Sequence, residues 1–134
     1  VGLAFGALSP KARLYAVEPE AYDDHAQSLS AGYPVAVKPA EDSLLDALLS
    51  PAPGAMTFAL NSKQLSGALG VSDQEALAAI AFAFRHLKLV IEPGGAVALA
   101  ALLCGRVKLN GGVALVIASG GNVDPAVYVQ AIGG

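Results

Sequence analysis

Ser119 and Gly120 lie in a stretch of the sequence that could bind a ligand, VIASGGNVDP at residues 116–125. The stretch begins within an apolar run, residues 113–119, that predicts a strand. In open parallel sheets, ligands bind beyond the carboxyl ends of strands, and glycines permit close approach of the backbone. The sequence therefore predicts a ligand site at Ser119. The spacing alone slightly favours the alternative, a tight turn from strand to helix with a solvated serine.

A second group of oxygen donors, Glu18, Asp23 and Asp24, lies at the end of another predicted strand. Carboxylates this close in sequence could bind a hard cation such as Mg²⁺ or Ca²⁺. The alternative is that the two aspartates cap a helix while Glu18 is solvated, and spacing alone favours it. His25 and His86 have no second histidine or cysteine beside them, so a zinc site is not expected.

Glu92 precedes a proline and two glycines at a predicted junction between a strand and a helix. A ligand-binding role and a purely structural role are equally compatible with that position. The sequence has no Walker-type loop, no glycine fingerprint of a dinucleotide fold, no nucleophile elbow and no Cys/His cluster. Side-chain chemistry by itself predicts only a ligand site near Ser119.

The elements that would position these residues alternate between strands and helices, which predicts an α/β fold with a mainly parallel sheet in three layers, α/β/α. Strands are predicted at residues 12–19, 68–72 and 113–119, the last as an apolar run typical of a strand buried on both faces. Helices are predicted at residues 1–8, 22–30, 44–49, 55–65, 73–88 and 96–104, and a last one is predicted to start at Pro125 with Asp124 as its N-cap. Gly32 is predicted to stop the helix at residues 22–30. The stretch SDQE is a capping box that starts the clearest of these helices.

Composition limits the class of protein. A length of 134 residues fits one domain, and the apolar fraction of 54% predicts that some apolar surface meets another chain segment. A net charge of −3 with scattered basic residues does not favour a nucleic-acid partner. The best apolar run, residues 96–104, is too short to span a membrane. It contains the single cysteine, Cys104, which is expected to be buried. Without a signal peptide at the start, a cytoplasmic location is expected.

Three blocks of sequence, AVEPEAYDD, LKLVIEPGGAVALAALLCG and VIASGGNVD, share their order and spacing with a known family. They resemble the C-terminal part of the threonine/serine dehydratases and serine racemases, which are pyridoxal-phosphate enzymes of fold type II. Within that family, the blocks resemble the bacterial 3-hydroxyaspartate or threonine dehydratases more closely. The resemblance implies that residues 1–134 are a single, partial large domain of a tryptophan-synthase-β-like fold.

The resemblance implies a cofactor site that contains Ser119, Gly120, Glu92 and Ser43. The serine of the family's SGGN block bonds the pyridine nitrogen of pyridoxal phosphate, and Ser119 matches it. A neutral hydroxyl leaves that nitrogen largely unprotonated, which suits β-elimination of a hydroxy-amino acid to a keto acid and ammonia. Glu92 matches the glutamate of the family's EP block near the cofactor. Ser43 matches a position lining the pyridine, although AEDS replaces the family's ADG.

The resemblance also implies a site for Mg²⁺ or another divalent cation. Metal-binding members of the family use a glutamate, a backbone carbonyl four residues later and an aspartate two residues beyond. These positions are Glu18, Tyr22 and Asp24.

The family's Schiff-base lysine, its substrate-handling residues and its phosphate-binding tetraglycine loop all precede the matched part. The resemblance therefore implies that this chain holds no catalytic residue and is inactive alone. Its partners would be an amino-acid substrate, the missing N-terminal part of the enzyme and further copies in a homo-oligomer. The alternative class is a non-catalytic module with this half-fold, which binds a small ligand or oligomerises.

Overall fold

A computed structural model describes residues 1–38 and 42–133 of the chain, and in these ranges helices pack around a parallel pair of strands. The strands are β1 (Leu14–Pro19) and β2 (Leu65–Val71). The α-helices are α1 (Gly2–Leu8), α2 (Asp24–Ala31), α3 (Ala55–Asn61), α4 (Asp73–Phe82), α5 (Pro93–Leu103) and α6 (Pro125–Ile132). Single 3₁₀ turns occupy Glu20–Tyr22 and Asp46–Leu48, and a π-helical turn at Ala83–Leu87 extends α4. None of the helices in these ranges is long and apolar enough to cross a membrane.

The sheet has helices against both of its faces. β1 and β2 run parallel with Val17 beside Leu69, and these two side chains pack against the core that α4 and α5 form. Because side chains alternate along a strand, Glu18 lies on the opposite face, where it contacts the start of α2. The predicted α/β arrangement with a parallel sheet is therefore confirmed.

The core is made largely of small side chains. Helices α4 and α5 pack against each other, and the alanines between them have no exposed surface: Ala76, Ala79, Ala83, Ala96 and Ala100. Small residues let two helix axes approach closely, because interaxial distance depends on the side chains at the contact. Ile80 of α4 and Val71 of β2 are fully buried in the same core.

Local start and stop signals form the predicted contacts. The Ser72 hydroxyl accepts a hydrogen bond from the Glu75 N–H at 3.3 Å, and the Glu75 carboxylate accepts one from the Ser72 N–H at 2.9 Å. This is the predicted capping box. Gly32 ends α2 at a φ of 82°, and Asp124 caps α6 by accepting the Ala126 N–H at 2.7 Å. These three predictions are confirmed.

Several helix bounds differ from those predicted. α3 ends at Asn61 because β2 begins four residues later. α5 begins earlier than predicted, at Pro93, since a proline suits the first helical position. α4 is α-helical only to Phe82, and its π-helical extension stops at Lys88, whose φ is 59°. The helix predicted at residues 44–49 is only a 3₁₀ turn.

The prediction of a buried strand at residues 113–119 is wrong for this structure. Within the described ranges, no strand pairs with these residues, and Val113, Leu115 and Ile117 are 98%, 76% and 48% exposed. An apolar run becomes a buried strand only where neighbouring backbone completes its hydrogen bonds. Cys104 was also predicted to be buried but is exposed, because it lies at the C-terminal end of α5.

Candidate cofactor and cation sites

The turn that carries Ser119 lies directly against the N-terminus of α5. The Gly120 carbonyl accepts a hydrogen bond from the Glu92 N–H at 3.0 Å. The Glu92 carboxylate in turn accepts one from the Asn122 N–H at 2.8 Å. A Cβ atom at Gly95 would stand only 2.7 Å from the Gly120 carbonyl oxygen. The structure therefore brings Ser119, Gly120 and Glu92 together, and Glu92 holds the turn at both of its ends.

Ser119 presents a hydroxyl that is available to a ligand. The residue is exposed, and no group in the described part of the chain forms a hydrogen bond with its side chain. A hydroxyl can donate one hydrogen bond and accept two. A Cβ atom at Gly120 would overlap the Glu92 carboxylate, so a larger residue beside Ser119 would displace that side chain or the turn. A neutral donor on a rigid turn suits the nitrogen of a pyridine ring.

Ser43 is held in place by a different element. Its hydroxyl donates to a carboxylate oxygen of Asp73 at 2.6 Å and accepts from the Leu45 N–H at 3.1 Å. The Leu44 N–H donates to the second oxygen of Asp73 at 2.8 Å. Ser43 thus lies at the N-terminus of α4, and no described contact joins it to the Ser119 turn.

Two buried carboxylates form the centre of the second candidate site. Glu18 and Asp24 are only 6% and 4% exposed. The Glu18 Oε1 atom accepts from the Ala26 N–H at 2.9 Å, and its Oε2 atom accepts from the His25 N–H at 3.0 Å. Asp24 Oδ2 is buried and has no hydrogen-bond donor in the described part of the chain. The site therefore contains a buried acid oxygen that accepts no aligned hydrogen bond, although the His25 imidazole lies 3.3 Å away.

Electrostatics makes this cluster suitable for a cation. Burial is the main cause that raises the pKa of Glu18 above its ordinary value. Hydrogen bonds from two backbone N–H groups oppose this rise, and the charge of Asp24 raises the pKa further. Burial likewise raises the pKa of Asp24, partly opposed by His25. Charged carboxylates that are poorly solvated are stabilised by a bound cation. The three predicted ligand positions lie close together in the chain: Glu18 near the end of β1, Tyr22 at the end of the 3₁₀ turn and Asp24 at the start of α2.

His25 was not predicted as part of this site, but the structure places it there. Its Nδ1 atom lies 3.3 Å from Asp24 Oδ2 and 3.5 Å from Glu18 Oε2, without the alignment of a hydrogen bond. The contact arises because the first turn of α2 folds back over Glu18. The sequence has no second histidine or cysteine beside His25 that would have indicated a metal ligand. The sequence shows only that His25 directly follows Asp24, and nothing in that run reveals its approach to Glu18.

The two candidate sites lie at opposite ends of α5. Glu92 is the N-cap residue of α5, whereas Arg106 lies just beyond its C-terminus. Arg106 pairs with Glu75 at 2.8 Å and with Glu20 at 3.1 Å, and Glu20 is two residues from Glu18. The 11 residues of α5 span about 16 Å. A cation at Glu18 therefore does not reach a ligand at Ser119.

A family profile described as pyridoxal-phosphate dependent enzyme matches residues 1–120. Among curated relatives, the L-threo-3-hydroxyaspartate ammonia-lyase of Saccharomyces cerevisiae is 34% identical over 132 residues. The match covers 98% of this chain and 40% of that protein, so the chain spans about 40% of the relative's length.

Solved structures agree with this profile. Maize serine racemase superposes with a TM-score of 0.83 and 30% identity, over 98% of this chain and 41% of its own. The serine racemase of Dictyostelium discoideum superposes with a TM-score of 0.79, with 30% identity over 92% of this chain and 39% of its own. The resemblance of the three sequence blocks to the C-terminal part of such enzymes is confirmed, as is the fold class. The chain belongs to the pyridoxal-phosphate-dependent enzyme family.

Proposed function

We propose that this chain is the part of an ammonia-lyase that binds the ring nitrogen of pyridoxal phosphate. Its substrates would be hydroxy-amino acids such as threonine, serine or 3-hydroxyaspartate, and residues 1–134 would form one partial large domain. The observation that carries the proposal is the unengaged Ser119 hydroxyl, held on a turn that Glu92 fixes against α5. Relatives that act on hydroxyaspartate support the substrate class.

Ser119 would bind the ring nitrogen as a neutral donor. Bound pyridoxal phosphate supplies an electron sink for the α-carbon of an amino acid. Ser119 would keep its proton on its own oxygen, since a hydroxyl is a far weaker acid than a pyridinium ion. Ser119 would thus make the electron withdrawal from the α-carbon weaker, which favours loss of the β-hydroxyl. Glu92 and Gly120 would set the position of Ser119, and Ser43 would line the same ring.

The second site would hold Mg²⁺ or another divalent cation through Glu18, the backbone carbonyl of Tyr22 and Asp24. The buried Asp24 Oδ2 atom, which accepts no aligned hydrogen bond, supports this proposal. Because the cluster lies at the far end of α5 from Ser119, the cation would join β1 to α2 and would not contact the substrate.

The complete enzyme would contain more than residues 1–134. Since the chain spans about 40% of its relative's length, the Schiff-base lysine and the phosphate-binding loop would come from a further part of the protein. We expect the chain to be inactive alone and the complete enzyme to be a cytoplasmic homo-oligomer. Residues 1–134 with added pyridoxal phosphate should release no keto acid. Cofactor trapped by borohydride on one specific lysine of this chain would contradict that expectation.

Turnover by the complete enzyme tests the proposed role of Ser119. Ser119→Ala removes a hydrogen bond between neutral groups that is worth about 0.5–1.5 kcal/mol, so we expect kcat to fall about 2- to 10-fold. The matched control is Ser66→Ala, which removes an exposed hydroxyl from β2. Keto acid release should be measured with L-threonine, L-serine and L-threo-3-hydroxyaspartate. Equal rates in the two variants would contradict the role of Ser119, and no turnover of any substrate by the wild type would favour the non-catalytic alternative.

A further inference from the structure

We propose that His25 is a third side-chain ligand of the cation site and gives it a preference for a transition-metal ion such as Mn²⁺ or Zn²⁺. This inference rests on the proposed cation site and extends it. The proposed cation site of Glu18, Tyr22 and Asp24 has oxygen ligands alone, whereas His25 would add one imidazole nitrogen.

The geometry of the three side chains suits one ion. One ligand atom each from Glu18, Asp24 and His25 lies within 4.8 Å of the other two. His25 Nδ1 is 3.3 Å from Asp24 Oδ2 and 3.5 Å from Glu18 Oε2. Ligand atoms at about 2.1 Å from a shared ion lie about 3–4 Å from each other. The described side chains therefore need little movement to coordinate a metal.

The burial of the Asp24 carboxylate also points to a ligand at this place. The residue is 4% exposed, and its Oδ2 atom accepts no hydrogen bond in the described part of the chain. Buried polar atoms without a partner are rare, and a bound ion is one of their ordinary explanations. Both Glu18 oxygens are held by backbone N–H groups of α2, so that carboxylate is already oriented.

The donor set decides which ion is preferred. Mg²⁺ and Ca²⁺ take oxygen ligands, whereas an imidazole nitrogen suits transition metals and zinc. A contrary interpretation is that protonated His25 is itself the positive charge between the two acids. That interpretation predicts that removing the imidazole improves the binding of Ca²⁺, so the two can be separated.

Metal titrations of the complete protein test the inference. The protein is stripped with a chelator and titrated with Mn²⁺, Zn²⁺, Mg²⁺ and Ca²⁺ against a metal-binding indicator. In His25→Asn, we expect the affinities for Mn²⁺ and Zn²⁺ to fall about tenfold or more, and those for Mg²⁺ and Ca²⁺ to change less than about threefold. Pulsed electron resonance of bound Mn²⁺ should show an imidazole nitrogen signal that His25→Asn removes.

Two control variants make the outcomes distinct. His86→Asn changes an exposed histidine on the π-helical turn and should leave every affinity unchanged. Glu18→Gln should weaken all four ions. Equal affinities for all ions in wild type and His25→Asn, or tighter Ca²⁺ binding in His25→Asn, overturn the role of His25 alone. No effect of Glu18→Gln on any ion overturns the proposed cation site as well. Melting curves in chelator show whether each variant folds.

Discussion

At Gly120, the backbone of the Ser119 turn runs so close to the Glu92 carboxylate that a Cβ atom there would overlap the carboxylate. The same carboxylate accepts the Asn122 N–H, and the Glu92 N–H donates to the Gly120 carbonyl. The position of the Ser119 hydroxyl therefore depends on residues that need not touch the cofactor. At this scale, Glu92 and Gly120 are positioning residues.

Gly120→Ala should disturb the site although Ser119 is unchanged. Either the turn or the Glu92 carboxylate has to move, which we expect to cost about 1–3 kcal/mol of unfolding free energy. Urea unfolding and the amount of cofactor retained on gel filtration measure the two effects. Gly67→Ala is the matched control, since its Cβ would lie 3.6 Å from the Tyr15 ring, an ordinary contact. Equal stability and cofactor retention in both variants would show that Gly120 is not required.

At the scale of helices and strands, elements with local signals were predictable from the sequence. The Ser72 capping box and the Gly32 stop need only neighbours in the chain, and both are present. Residues 113–119 form a strand only if a neighbouring strand pairs with them, and the apolar pattern of the run cannot show whether one does. Within the candidate site, spacing alone favoured helix capping with a solvated Glu18, whereas the structure buries Glu18. The approach of His25 was not predictable, because it depends on how α2 folds back over β1.

Glu75 links the start of α4 to the end of α5, and its charge should stabilise the fold in a pH-dependent way. The Ser72 N–H, and then the Cys104 thiol and Arg106, hold the pKa of Glu75 below its ordinary value of 4.5. A lowered pKa contributes stability above the unfolded value, and this stability is lost as pH falls through the folded value. Glu75→Gln keeps a capping side chain but removes the charge. It should lower the unfolding free energy by about 0.5–1 kcal/mol at pH 7, and by almost nothing at about pH 3.

Urea unfolding at both pH values measures this difference. Glu20→Gln is the control, because Glu20 pairs with the same Arg106 but its side chain is 55% exposed, against 24% for Glu75. A smaller effect is therefore expected for Glu20→Gln. A Glu75→Gln effect that persists unchanged at low pH would show that charge is not its cause.

At the scale of the whole molecule, the apolar composition has a visible consequence. Val113 and Leu115 are 98% and 76% exposed, and their segment borders a groove of about 520 Å³ against Val17, Leu69 and Val97. Exposed apolar surface of this kind is typical of an interface with another chain or segment. That apolar surface meets a further segment stays a prediction from composition, and this groove is the place where we expect it.

Residues 1–134 produced alone should therefore self-associate. Leu115→Lys places a charge on the exposed apolar segment and should reduce the association constant about tenfold or more. The matched control is Met56→Lys, which changes a 79% exposed apolar side chain on α3 and should have little effect. Sedimentation velocity at several concentrations measures both. A wild-type chain that stays monomeric at all concentrations would refute the prediction.

The protonation of the cofactor's ring nitrogen tests the central claim most directly, because Ser119 is proposed to leave that nitrogen neutral. The measurement is nitrogen NMR of the complete enzyme, loaded with pyridoxal phosphate labelled at the ring nitrogen. The account predicts the resonance of an unprotonated, hydrogen-bonded nitrogen, which moves in Ser119→Ala and stays in place in Ser66→Ala. A protonated nitrogen in the wild type, or a resonance that Ser119→Ala leaves unmoved, would contradict it.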